Sequence, residues 1–158
     1  MKVEVVRSAR RRKTVQARRV NGVLRVSIPA TMTKVEEERW VTEMVRRMER
    51  KQVTDEVDLE RRAKELATRY RLPAPDSIRW VTNQEGRWGS CTPTDRTIRI
   101  SSRLGGEPGW VLDYVIVHEL AHLAVHGHDR AFWDLVARYP KTERARGFLI
   151  ARGLESDD

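Results

Sequence analysis

The stretch VIVHELAHLAVHGHDRAFW, residues 115–133, holds all four histidines of the 158-residue chain: His118, His122, His126 and His128. The apolar residues Val111, Leu112, Val115, Ile116, Leu120, Leu123 and Ala124 cover most of a helical circumference. That pattern predicts a central buried helix from Trp110 to about Val125. His118, Glu119 and His122 then spell H-E-x-x-H. On a helix, residues i and i+4 share one face with Cβ atoms roughly 6 Å apart, which suits two imidazoles gripping one Zn²⁺. If the histidines were only core residues, the charged Glu119 beside them would be buried without a reason; next to a metal centre it has one.

A catalytic zinc site takes three protein ligands and keeps an open position. Were the helix to continue, His126 would stand roughly 12 Å along the axis from His118, too far to share an ion. Gly127 is a natural residue to end the helix in the left-handed conformation and turn the chain back. His128 is therefore the expected third ligand, with one Zn²⁺ per chain, and His126 is a bystander. Three neutral imidazoles leave the ion its full charge. Glu119 is expected to take a proton from water as it attacks a carbonyl carbon, and to pass it to the leaving amine.

Beyond this stretch the chain reads as α+β. Val3–Val6, Thr14–Arg19 and Val23–Pro29 are strand-like, with Asn21-Gly22 as a hairpin turn, and are expected to form an antiparallel β-meander. Thr33 and Glu36 have capping-box spacing and start a helix from Lys34 to about Gln52. A second helix begins near Asp58 and is ended by Pro73 and Pro75. SIRWVT and RTIRIS are strand-like, with a hairpin turn at Pro93–Arg96. Asp129 caps a short helix through Tyr139, and Pro140 opens a last one to about Arg152. The terminal ESDD is expected to fray. This gives one domain: a basic β-meander over 1–30, a helical scaffold over 33–72, a β-hairpin over 77–101 and metal-site helices over 109–139.

Composition narrows the function classes. A lone cysteine, Cys91, rules out an internal disulfide framework and a cysteine-rich zinc site. No run of eighteen apolar residues exists, and the basic N-terminus lacks an apolar segment behind it, so a cytoplasmic protein without membrane contact is expected. The net charge of +8 is concentrated in residues 1–20, where eight cations face one acid, Glu4. Such a block can attract nucleic acid or a nucleotide, or be a solvated basic hairpin.

The basic N-terminal strands ending in VSIPA, RWGSCT before a strand, VIVHELAHL and HGHDRAFW together resemble the YgjP-like family of zincin metallopeptidases, which are relatives of SprT-like and Wss1-like DNA-associated proteases. The resemblance implies a zincin-like, gluzincin-type fold, a peptide or protein substrate, His118, His122 and His128 as zinc ligands, and Glu119 as catalytic base. Metzincins share the third-histidine spacing but carry glycine where this chain has Val125. By the same likeness RWGSC is the strand beside the metal, with Trp88, Gly89 and Ser90 as substrate-binding candidates at its edge. An oxyanion-stabilising group is expected; Arg87 and Tyr139 are only neighbours of the motifs in sequence. A protease acting on DNA-bound proteins is a variant of this reading, and two alternatives to a peptidase stay open: a nucleotide phosphoanhydride hydrolase such as a nucleoside triphosphate pyrophosphatase, and a basic nucleic-acid-binding module with a structural metal.

Overall fold

A computed structural model describes residues 2–84 and 86–153; the terminal ESDD lies outside them. The chain forms two compact units, residues 1–49 and 50–158.

The first unit contains strands β1 (Lys2–Ser8), β2 (Gln16–Val20) and β3 (Val23–Pro29) and the start of helix α1 (Lys34–Glu56). The Asn21-Gly22 turn forms as the sequence predicts, with both residues at positive φ, 50° and 79°. The meander does not form. The strand order is β1-β3-β2, with β3 antiparallel to β2 and parallel to β1. The cause lies in which strand is apolar. Leu24, Val26 and Ile28 on β3 are fully buried around Met44, so β3 takes the centre, and the charge-rich β1 and β2 take the edges. The capping box is present: Glu36 N donates to Thr33 Oγ1 and Thr33 Oγ1 donates to Glu36 Oε1. α1 outlasts its expected end by one turn.

The second unit is built around α3 (Gly109–His122), in which every residue from Tyr114 to Ala121 is buried. Helix α2 (Leu59–Tyr70) packs Ala63, Leu66 and Ala67 into the same core. Asp58 caps it by accepting from Arg61 N. It ends before the prolines, at Arg71 in the left-handed conformation, whose N–H bonds Ala67 O. Residues 77–101 are a three-stranded sheet and not a hairpin alone. The expected hairpin of β5 (Gly89–Thr92) and β6 (Thr97–Ser101) is joined by β4 (Ser77–Val81), which lies parallel to β6. Again the strand with buried alternation, Ile98 and Ile100, is central. β5 is thus an edge strand, and it packs against α3. Helices α4 (Arg130–Val136) and α5 (Thr142–Ala151) complete the unit, the first capped by Asp129, which accepts from Phe132 N.

Candidate metal centre

α3 stops three residues sooner than its apolar pattern suggests. After His122 the ladder tightens, with Leu123 N bonding Leu120 O and Ala124 N bonding Ala121 O, both at 3.1 Å, and the last turn unwinds. His122 takes part in its own stop: its Nδ1 donates to Val125 O at 3.1 Å. The left-handed Gly127 turn expected from the sequence is absent. Gly127 has no positive φ, because an earlier helix end leaves five residues in which the chain can return without a sharp reversal. His128 then lies immediately before the Asp129 cap of α4.

The return brings the three predicted ligands together. One ligand nitrogen from each of His118, His122 and His128 lies within 4.8 Å of the others, and His122 Nε2 is 3.0 Å from His128 Nε2. Tetrahedral ligation with Zn–N bonds of about 2.0–2.1 Å sets neighbouring nitrogens about 3.3 Å apart, so the set fits the ion after small adjustment. The Nδ1 atoms of His118 and His122 are engaged. Tyr114 Oη meets His118 Nδ1 at 3.3 Å, and Val125 O fixes Nδ1 of His122 as the protonated one, which leaves Nε2 as its ligand atom. His126 is exposed and is not in the set, although it lines the same cavity. Phe132 stacks on His122 at 4.3 Å, and Trp133 packs 5.9 Å from the His118 ring and 6.1 Å from that of His128.

Burial favours the neutral form of His118 and His122, which is the form that binds metal. It pushes His118 down to about 3, helped by the fields of His122, His128 and Arg146. His122 is lowered too, chiefly by burial. Arg146 itself lies over the Trp133 ring, 4.2 Å from its centre.

The histidines open onto a cavity of about 450 Å³. One wall is α3, with His118, Glu119 and His122; the facing wall is the stretch from Gly86 to Cys91. Glu119 is buried, 6% exposed, and faces Gly89. Of the three candidates on this wall, Gly89 packs directly on Glu119: a Cβ built there would stand 3.2 Å from Glu119 Cγ. Trp88 is 7% exposed and packs in the core beneath the Arg103 guanidinium, 5.1 Å from the ring centre. The Ser90 hydroxyl accepts from Gln84 Nε2 at 2.6 Å and Arg99 Nε at 2.9 Å, which ties β5 to its sheet. Cys91 also lines the cavity; burial and the Glu119 charge push its thiol up to about 11, and it is not among the metal-binding set.

Sequence reasoning missed two supports. Tyr114 was legible in principle, being four residues before His118 on one helix face. Arg103 was not: its Nη2 donates to the carbonyls of both Gln84 and Arg87 at 3.0 Å, a contact no local pattern announces. Tyr139, one of the polar neighbours, donates to Trp110 O at 2.7 Å, whereas Arg87 lines the cavity and is exposed.

A family model described as "YgjP-like, metallopeptidase domain" matches residues 7–150. No curated protein and no solved structure matches the chain.

Proposed function

The chain belongs to the YgjP-like metallopeptidase-domain family, and from that premise we propose that it is a zinc-dependent peptidase in which His118, His122 and His128 hold the ion and Glu119 moves the proton. The observation that carries the proposal is the convergence of three imidazoles beside a buried carboxylate, on the wall of a cavity whose other wall is a strand edge. A zincin-like arrangement is part of the same reading: two ligands from the H-E-x-x-H helix and one from the start of the next.

When bound, zinc lowers the pKa of water to about 7 and polarises a carbonyl oxygen. An extended peptide adds to the free edge of β5 by backbone pairing, which lays its carbonyls along the cavity. Gly89, having no side chain, lets β5 itself pack closely against Glu119. The Glu119 carboxylate accepts a proton from the attacking water while the C–O bond forms, then delivers it to the amide nitrogen as the C–N bond breaks. Tyr114 and Val125 keep the His118 and His122 rings oriented throughout.

Purified protein should hold about one zinc per chain, and His118→Ala should lose it. Glu119→Gln should keep the zinc and lose at least about a thousandfold in turnover of casein or a peptide library, as removal of a general base does. Unchanged turnover in zinc-loaded Glu119→Gln would refute the assignment. Nucleoside triphosphates and a DNA-bound protein belong in the same screen; hydrolysis of the triphosphates alone would replace peptide with phosphoanhydride as the substrate.

A further inference from the structure

The proposed reaction makes no use of the charge on the first unit. Because Leu24, Val26 and Ile28 point into the core, Val23, Arg25 and Ser27 lie on the outer face of the sheet. Register places Glu4 and Arg18 on either side of Arg25, Lys2 beside Val23, and Gln16 beside Ser27. Glu4 is the sole acid on this face among the described residues, and its carboxylate is already bonded to Arg25 at 3.3 Å. Arg18 stands directly across from Arg25, and both are exposed. Like charges opposed in a sheet are destabilising, and Glu4 on the other side of Arg25 is the one acid on this face, among the described residues, that offsets the pair. The loop after β1 adds the exposed Arg10, Arg12 and Lys13 at one end of the sheet. Arg11 reaches back from that loop to Gln16 on the same face, donating to its Oε1 at 2.7 Å.

We propose that this sheet face and its adjoining loop bind the phosphate backbone of duplex nucleic acid. Arg10, Arg12, Lys13 and Arg18 have no carboxylate partner among the described residues, so their charge is available to an external anion. A phosphate bridging Arg18 and Arg25 converts their repulsion into two charge-assisted contacts. Residues 2–30 contain no aromatic side chain, which removes the stacking platform that single strands use. What remains is recognition through phosphates alone, which is independent of sequence, and a duplex offers them at about one charge per 1.7 Å. The inference stands apart from the hydrolase reading, since it needs neither the metal nor the cavity.

The test is fluorescence anisotropy of the full chain, without added zinc, on short labelled DNA duplexes of unrelated sequence across a range of salt. Expected is equal affinity for the duplexes, weakening with salt at about 0.9 logarithmic units per phosphate contacted, hence a slope of about four to five. The triple variant Arg12→Gln, Arg18→Gln, Arg25→Gln should bind at least about tenfold more weakly. A control triple, Arg47→Gln, Lys51→Gln, Arg61→Gln, removes the same charge from helical ion pairs, and should stay within about twofold of wild type. No binding at low salt, or equal losses in the two triples, would overturn the proposal. So would tighter association with phosphatidylserine vesicles than with the duplex, which would make anionic lipid the partner.

Discussion

Gly89 and Glu119 face each other with no room for a methyl group between them: a Cβ at position 89 would stand 3.2 Å from Glu119 Cγ, 3.2 Å from Arg99 O and 3.1 Å from Val115 Cγ1. The backbone at 89 has an ordinary φ, so space and not conformation requires the glycine. Gly89→Ala must move either β5 or the carboxylate. Overpacking of this kind typically destabilises by about 1–3 kcal/mol. The expected outcome is near-normal zinc content with turnover down at least about tenfold, measured by metal analysis beside peptide hydrolysis. Full activity would mean that Glu119 tolerates displacement and that its placement matters less than proposed.

Trp133 offers no metal-binding atom but packs against the His118 and His128 rings and beneath Arg146. Trp133→Ala should weaken zinc binding by about 10- to 100-fold while the three ligands remain, the usual size of a supporting-residue effect. Competition with a chelator measures it. An unchanged dissociation constant would show that Phe132, stacked on His122, suffices to hold the rings.

Arg103 fixes the cavity rim by bonding two carbonyls of one loop and covering Trp88. A lysine cannot reproduce that fork. Arg103→Lys should therefore speed hydrogen exchange of residues 86–88, leave α3 protected, and raise KM more than it lowers kcat. Exchange that stays slow in this loop would remove Arg103 from the rim's support.

The metal-free protein should lose stability as pH falls below about 6.5, before carboxylates begin to titrate. Burial lowers His118 to about 3 from a starting value of 6.5, so below 6.5 the unfolded chain takes up a proton that the folded chain refuses. The unfolded state gains by up to about 1.4 kcal/mol per pH unit from this group, and above 6.5 the effect vanishes. His122 adds in the same direction. Unfolding midpoints measured between pH 5 and 7 should show the slope, and His118→Asn should flatten it. A flat wild-type profile would contradict the burial of a neutral His118.

Local signals were read well and nonlocal ones were not. Helix caps at Thr33 and Asp129, the Asn21-Gly22 turn and the His118–His122 pair each depend on residues within four positions of one another. That His128 joins His118 and His122 was expected from the sequence, although α3 ends at His122 and the return route assigned to Gly127 is not the one taken. Strand order depends on which run buries best once sheets meet a helix, so β3 and β6 displaced the expected neighbours. Arg103 bonds residues 16 and 19 positions away through a loop with no periodicity, and nothing in the sequence near it marks the contact.

Both sheets share one plan: a leading strand, then a hairpin whose second arm inserts beside that leader in parallel. This plan sets an order of assembly. A hairpin closes locally, within microseconds, whereas the leader must wait for a surface that does not exist until the hairpin has formed. The two hairpins are therefore expected to close before β1 and β4 pair with them. On the ribosome each leader emerges before its template, and must stay unpaired until the chain that follows has folded back to receive it.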